Sequence, residues 1–235
     1  MTSPSPPSPN EAAADRFLER SLLFNFAVHA LAMVVMALVL APMLPGGGEP
    51  DSQARVAQIA AHPWRFRAGW VPWHLCALAD LWMAIAMVRV RWIPKLPAIL
   101  VLLLTIAAVI PDQGAQGLWV TRGVELAQAV KSSADLQRYL GFEATIFKAT
   151  ASTGAFLYTL GALGWTLAFA RAGTWSRTLT WLSVPTWAVM LYVTSVFFLP
   201  EAMRPSSEVV AIGNAVGFTL LQVWLGLVAE EVLRR

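Results

Sequence analysis

Six long apolar runs divide this chain, and each approaches the length that a helix needs to cross a membrane. A transmembrane helix requires about 20 predominantly apolar residues. The runs cover residues 21–44, 68–90, 94–111, 151–171, 178–199 and 207–229. Charged residues collect between them and make up 13% of the chain, about half the share of a soluble domain. The sequence therefore predicts an all-α fold, an integral membrane bundle of six transmembrane helices.

The supply of cysteine and histidine excludes several kinds of site. A single cysteine, Cys76, allows no internal disulfide and no cysteine cluster around a metal. The three histidines are too few for paired bis-histidine haems. The net charge is only +3 and no run of lysine and arginine is present, unlike a nucleic-acid-binding surface. We therefore expect no metal, no cofactor and no nucleic-acid partner.

The N-terminal segment differs in composition from the rest of the chain. Residues 1–14 are rich in proline and serine and have no apolar periodicity, which is typical of disordered segments. We therefore predict a disordered tail over residues 1–20 and a transmembrane domain over residues 21–235. The first apolar run is longer than the core of a signal peptide, and Pro42 follows the best cleavage position, so we expect this helix to be retained.

The distribution of lysine and arginine indicates an orientation. The connections 89–95 and 171–177 are short and basic, whereas the connections on the other side are longer and contain more acidic residues. Short basic loops face the cytoplasm in most membrane proteins. We therefore expect both termini to be cytoplasmic and membrane lipids to be the main partners.

The long connection between the third and fourth runs has an apolar pattern of its own. In GLWVTRGVELAQAV, residues 117–130, several apolar positions recur at helical spacing. This pattern predicts an amphipathic helix on the outer face, between helices three and four. A second helical stretch over residues 135–148 is predicted to continue into the fourth helix.

Small residues within the apolar runs indicate where helices approach closely. Gly213 and Gly217 are four positions apart in the sixth run, a spacing that leaves room for a second helix. We expect this face to pack against another helix, and a homo-oligomer through these glycines is one prediction. The hydroxyl residues of the fifth run are expected to bond to their own helix backbone; they are Thr180, Ser183, Thr186, Thr194 and Ser195.

Polar groups inside the apolar runs are costly to place in a membrane. Asn25 and His29 lie one turn apart in the first run, and Asp80 lies in the second. At 1.5 Å per residue His29 and Asp80 would lie about 12 Å and about 15 Å from the cytoplasmic ends of their helices. We therefore predict a hydrogen bond or ion pair between them, with Asn25 nearby. It would serve either as a structural clasp between helices or as a proton relay or substrate contact.

A second polar group is predicted at the outer face. A histidine, acids and an arginine in one concavity would suit acid–base chemistry or the binding of a polar head group. The alternative is a wet interface in which these charges are solvated or cap helices. The group comprises His62, His74, Asp112, Gln113, Gln116, Arg122, Glu125 and Glu143.

The stretch HPWRFRAGWVPWHLCALADLWMAIAMV, together with FNFAVHALAMVV and VIPDQGAQ, resembles bacterial multi-pass membrane proteins of uncharacterised families. The resemblance covers about the first half of the chain. It implies about six helices and a bacterial inner membrane, and it implies no activity and no functional residue.

Three functions are compatible with these patterns. The first is an accessory or lipid- or small-molecule-binding bundle. The second is a small transporter or channel that uses His29 and Asp80. The third is a membrane-embedded enzyme that acts on a lipid at the outer-face group. A polar cavity open to both sides would favour a transporter, and a lipid-accessible groove at the outer-face group would favour an enzyme. A dry, tightly packed core would favour the accessory bundle.

Overall fold

The computed structural model describes residues 8–47, 49–173 and 176–234. It is helical throughout, and no strand occurs in these ranges. The α-helices are α1 Pro9–Val35, α2 Ser52–Ala61, α3 Pro63–Arg89, α4 Lys95–Leu118, α5 Val124–Gln128, α6 Ser133–Phe147, α7 Ala155–Arg171, α8 Arg177–Ser195 and α9 Ser207–Leu233. Short 3₁₀ turns follow α1 and α8, at Ala41–Met43, Val196–Phe198 and Glu201–Met203.

Within the described ranges, five continuous helical segments are long and apolar enough to cross a membrane. Two of them are much longer than a crossing requires, because Pro9–Met43 has 35 residues and Ser133–Arg171 has 39. At 1.5 Å per residue the longer one extends about 58 Å, against a hydrocarbon core of about 30 Å. The protein is therefore compatible with a membrane-embedded helical bundle whose helices project beyond the apolar layer.

The six longest helical segments form a closed ring. Each contacts the next in the order α1, α3, α4, α7, α8, α9, and α9 returns to α1. In α8 the hydroxyl groups return hydrogen bonds to their own backbone as predicted, for example Ser183 to the Leu179 carbonyl at 2.7 Å and Thr194 to the Met190 carbonyl at 2.8 Å. These bonds satisfy polar groups on a helix that lies between α7 and α9.

One end of the ring is filled by a large apolar cluster, which we call the terminal cluster. It joins the start of α1, the end of α3, the end of α7, the start of α8 and the end of α9 through Leu18, Val90, Phe169, Leu179 and Val232. Three tryptophans lie in the same cluster, with Trp224 stacked on Trp165 (6.4 Å between ring centroids) and edge-on to Trp187 (5.1 Å). This end of the bundle is apolar and tightly packed.

The opposite end is closed by a cap, defined as α2, α5 and α6. Buried apolar residues join the cap to the region after α1, to the start of α3 and to the end of α4; among them are Leu40, Met43, Ile59, Phe66, Trp119, Tyr139 and Ile146. Three π-helical segments lie where spanning helices pass into the cap, at Met36–Leu40, Trp119–Gly123 and Lys148–Gly154. Single π turns inside α-helices are frequent at functional sites.

The start of α1 differs from the predicted tail. Residues 9–20 are helical rather than disordered, and residues 1–7 of the predicted tail lie outside the described residues. A capping box explains the start, since Ser8 accepts from the backbone N–H of Glu11 and Glu11 accepts from that of Ser8. Asp15 then accepts a hydrogen bond from the Trp92 indole at 2.9 Å, which ties this extension to the α3–α4 connection.

The region after the third apolar run also differs from its prediction. Pro111 lies inside α4, which continues to Leu118 and through the π segment into α5. A proline within a spanning helix is tolerated where neighbouring groups compensate for the missing N–H. Residues 117–128 therefore continue α4 without a break, and an amphipathic helix on the outer face stays a prediction. The predicted continuation of the 135–148 stretch into the next helix is present as α6 and α7.

The two glycines of the sixth run face α8 of the same chain. A Cβ added at Gly213 would lie 2.6 Å from Val193 Cγ1, and one at Gly217 would lie 2.7 Å from Met190 Sδ. The expected close helix approach is therefore present, but it is intramolecular. Homo-oligomerisation stays a prediction, but Gly213 and Gly217 already pack against α8 of the same chain.

Candidate functional site

A buried amide and carboxylate join α1 to α3. Asn25 Nδ2 donates to Asp80 Oδ1 at 2.7 Å, and the two residues are 0% and 8% exposed. Asn25, one turn before His29, is therefore the α1 residue that meets Asp80. The predicted pairing of His29 with Asp80 is wrong in its partner, because His29 Nδ1 lies 3.0 Å from the Asn25 backbone oxygen of its own helix. His29 nevertheless lies close enough to Asp80 to interact electrostatically.

A second carboxylate, Asp112, lies inside α4 rather than in an outer connection. Both of its oxygens accept hydrogen bonds from amides, Oδ2 from Gln113 at 2.8 Å and Oδ1 from Gln116 at 2.7 Å. Gln113 also accepts from His74 Nδ1 of α3 at 2.6 Å. Four residues predicted for the outer face therefore form one hydrogen-bonded chain, and it joins α3 to α4 because α4 does not end at Pro111.

The structure brings these two predicted groups together. Asp112 lies within electrostatic range of both His74 and Asp80. Tyr158 of α7 lies close to Asp112, Asp80 and Cys76. Side chains from α1, α3, α4 and α7 thus surround a single region, which we call the polar centre and define as Asn25, His29, His74, Cys76, Asp80, Asp112, Gln113, Gln116 and Tyr158.

Several oxygens of the polar centre are buried without a hydrogen-bond partner. They are Asn25 Oδ1, Gln116 Oε1 and the Tyr158 hydroxyl. Each of the two amides directs its nitrogen at a carboxylate and leaves its own oxygen unpaired. A buried polar group without a partner costs free energy. The two amide oxygens are therefore unpaired acceptors, and the Tyr158 hydroxyl is a group that can donate as well as accept.

The π-helical segment Lys148–Gly154 packs closely against Asp112. A Cβ added at Gly154 would lie 2.9 Å from the Asp112 Cβ, so only glycine permits this approach. Ser152 of the same segment is fully buried, and its hydroxyl has no partner. The segment therefore covers one side of Asp112.

The remaining members of the predicted outer-face group do not join the polar centre. Glu143 forms a bidentate ion pair with Arg55 of α2, at 2.5 and 2.7 Å, with both side chains buried in the cap. Arg122 and Glu125 pair with each other at 2.9 Å on the surface, with side chains 60% exposed. His62 is exposed at the junction of α2 and α3.

Sequence reasoning missed Arg55 and Tyr158. Arg55 lies in a segment that was interpreted as a connection, although Asp51 followed by an apolar pattern is a helix-start signal, and Asp51 does cap α2. Tyr158 is one of three tyrosines, and nothing in the apolar run around it distinguishes it from a packing residue. Its hydroxyl, the polar part of an otherwise apolar side chain, was the available signal.

The polar centre contains side chains that can accept or donate a proton, and it includes no lysine or arginine. Among the described residues, the basic side chains that act on Asp80 and Asp112 are His29 and His74, and neither carboxylate faces a lysine or an arginine. No group of three or more histidine, cysteine, aspartate or glutamate side chains in the described ranges has the geometry of a metal site. No family model, curated protein or solved structure matches this chain.

Proposed function

We propose that this chain is a membrane protein that binds a small cation at the polar centre, a proton included. One observation carries the proposal: two carboxylates, Asp80 and Asp112, are buried in the apolar helices α3 and α4 without a lysine or arginine partner among the described residues. Unpaired charge in a membrane interior is costly. A bound cation would neutralise the carboxylates and give the unpaired oxygens a partner.

The membrane setting of this proposal has a finer form. We infer that α8 is the sixth crossing, since it has 19 residues and packs between α7 and α9. Six crossings place both termini on one side, and the positive-inside tendency makes that side the cytoplasm. The resemblance to bacterial multi-pass proteins supports a bacterial inner membrane. Lipids then cover the exposed apolar side chains, such as Leu38, Leu96 and Ile110.

The other two functions receive less support. For a lipid-acting enzyme, His74, Asp112 and Glu125 would have to converge, yet Glu125 pairs with Arg122 on the surface. For a purely structural role, the Asn25–Asp80 bond would clasp α1 to α3. A clasp does not account for the unpaired oxygens of Asn25, Gln116 and Tyr158. Transport stays the second candidate, because a cation site between helices is what a small transporter requires.

The test is a thermal-unfolding matrix on the purified protein in detergent, with pH and added NaCl, LiCl, NH₄Cl or MgCl₂ as variables and ionic strength held constant with choline chloride. A ligand that binds the folded state raises the unfolding temperature with its concentration. We expect a response to pH or to at least one cation that Asp112→Asn and Asp80→Asn each reduce. Glu125→Gln, which removes a surface carboxylate, serves as the matched control.

A wild-type response to every salt and every pH that is identical in Asp112→Asn, Asp80→Asn and Glu125→Gln would overturn the proposal. Circular dichroism of each variant separates loss of binding from loss of fold. If both aspartate variants fail to fold, Gln116→Leu removes an unpaired acceptor without touching a charge, and the same comparison is then made with that variant.

A further inference from the structure

We infer that a groove between α1 and α9 holds one acyl chain of a phospholipid whose headgroup has both a phosphate and a protonated primary amine, as in phosphatidylethanolamine. The inference uses only the membrane setting of the proposed function, and the outcome of the cation titration does not bear on it. The α1–α9 groove is lined by Leu23 and Phe26 of α1 and by Gly226, Ala229, Glu230, Leu233 and Arg234 at the end of α9.

The α1–α9 groove has the length of a lipid chain within one leaflet. It follows α9 from Gly226 to Arg234, about 12 Å at 1.5 Å per residue, and one leaflet contributes half of a hydrocarbon core of about 30 Å. Its volume of about 340 Å³ is at the lower end of the range for small-molecule sites, about 300–1,000 Å³. Because α9 ends at Arg234 beside the terminal cluster, the leaflet concerned is the one on the side of the two termini.

The walls of the groove are apolar and open towards the lipid. Leu23 and Leu233 are both about half exposed. Gly226 lies opposite Phe26, where an added Cβ would lie 3.2 Å from the Phe26 Cε2 atom, so a larger residue there would compete with the ring. One turn earlier in α9, Gln222 Nε2 donates to the Phe26 carbonyl at 2.7 Å and joins the two helices. The end of an acyl chain would therefore lie against Phe26, with the headgroup at the end of α9.

The mouth of the groove presents one charge of each sign. Arg234 donates to Glu230 across one helical turn, and both side chains are exposed. Exposed ion pairs of this kind contribute little to stability, so little is lost when the two charges separate. The lipid phosphate would then accept from the Arg234 guanidinium, whose planar fork suits phosphate oxygens, and the lipid amine would donate to the Glu230 carboxylate.

The acid at the mouth selects among headgroups. Glu230 repels a lipid with a net negative charge, and a quaternary ammonium has no N–H to donate to its carboxylate. Glu19 and Arg20 lie one turn before Leu23 in α1, so both signs of charge border the α1 wall as well. A headgroup with a phosphate and a primary amine is complementary to this pattern of charge.

The experiment measures lipid binding to the full-length protein in detergent by native mass spectrometry, with phosphatidylethanolamine, phosphatidylcholine and phosphatidylglycerol of identical acyl chains. We expect phosphatidylethanolamine to bind about tenfold more tightly than either of the others, the lower range for a hydrogen bond to a charged group. Arg234→Gln and Glu230→Gln should each remove that preference. Arg122→Gln and Glu125→Gln are the matched controls and should keep it, because they break a comparably exposed ion pair on the cap side of the bundle.

A phosphatidylethanolamine analogue with a diazirine in one acyl chain locates the site. We expect its photolabel on α1 and α9 peptides that line the groove, and we expect unlabelled phosphatidylethanolamine to compete better than phosphatidylcholine. Equal affinity for the three lipids, or a preference for phosphatidylglycerol, would overturn the inference.

Three further outcomes would also overturn the inference. They are a preference that survives in both Arg234→Gln and Glu230→Gln, photolabel spread evenly over the exposed apolar helices, and a dimer that excludes the lipid, which would place a second copy of the chain in the groove. The wild-type protein answers the headgroup question without any variant. Both variants change exposed side chains at the end of α9, so their circular dichroism should match that of the wild type.

Discussion

Arg55 and Glu143 illustrate how single residues determine the stability of the cap. The two residues are 3% and 4% exposed, and their side chains form a bidentate ion pair between α2 and α6. Tyr139 donates to the same carboxylate at 3.3 Å, and Trp119 donates to Tyr139 at 3.3 Å. A buried charge that loses its partner is strongly unfavourable, whereas removal of both partners together is often neutral.

Replacement of one member of this pair tests its contribution. Arg55→Met should lower the free energy of unfolding by about 3–5 kcal/mol, because Glu143 would remain buried and unpaired. The double variant Arg55→Met with Glu143→Leu should recover most of that loss. Reversible unfolding in mixed detergent micelles gives both values. Arg122→Met is the control and should cost at most about 1 kcal/mol, since its ion pair is exposed; an equal cost at both sites would contradict the buried pair.

At the scale of elements, the π-helical segments determine how the spanning helices meet the cap. The segment Lys148–Gly154 joins α6 to α7 and packs against α4. Because Gly154 has no side chain, this segment approaches Asp112 closely enough to hold the polar centre together. The sequence contains no signal that distinguishes such a segment from ordinary helix, because an additional residue in one turn changes the register without changing the composition.

Two glycine substitutions on neighbouring segments separate the effect of side-chain packing on stability from the effect of helix propensity. Gly154→Ala should destabilise the protein by about 1–3 kcal/mol, because the new methyl group overlaps Asp112. Gly141→Ala in α6 meets nothing within 4 Å, and it should stabilise by up to about 1 kcal/mol through helix propensity alone. Unfolding free energies measured side by side check the pair. A Gly154→Ala protein as stable as Gly141→Ala would show that the close approach is not needed.

At the scale of the whole molecule, the ring of six helices places a polar layer between two apolar ones. The terminal cluster and the cap cluster are both apolar, and the polar centre lies between them. The start of α1 and the end of α9 meet in the terminal cluster through Leu18 and Val232. That arrangement requires α8 to run the full length of the ring.

A labelling experiment tests the six crossings. In a Cys76→Ser background, Ala13→Cys and Arg234→Cys should react with a membrane-impermeant maleimide only after permeabilisation, because both positions are expected on the cytoplasmic side. Gln53→Cys in the cap should react in intact cells. Reaction of Ala13→Cys and Arg234→Cys on opposite sides would mean that α8 does not cross. Reversal of all three would keep the six crossings and overturn the orientation.

The sequence alone determined that this chain forms apolar helices long enough to cross a membrane, because apolar run length and the position of charges are local properties. It determined helices rather than strands, and it indicated Asn25, His29 and Asp80 as polar residues without an obvious solvent contact. It also placed the hydroxyls of α8 correctly, since their bonds go to the same helix. Errors occurred where local signals competed. Pro111 followed by Asp112 is a turn signal in the sequence, yet both residues lie within a continuous helix.

Only the tertiary structure decided which polar residues meet. Asn25, Asp80, Asp112 and Tyr158 come from four different helices, and their encounter depends on the rotation and the neighbours of each helix. These are consequences of packing between distant segments, such as the close approach at Gly154 and the intramolecular contact of Gly213 and Gly217 with α8. Periodicity along one helix does not specify a partner on another, so the polar centre follows from the packed ring rather than from any one run.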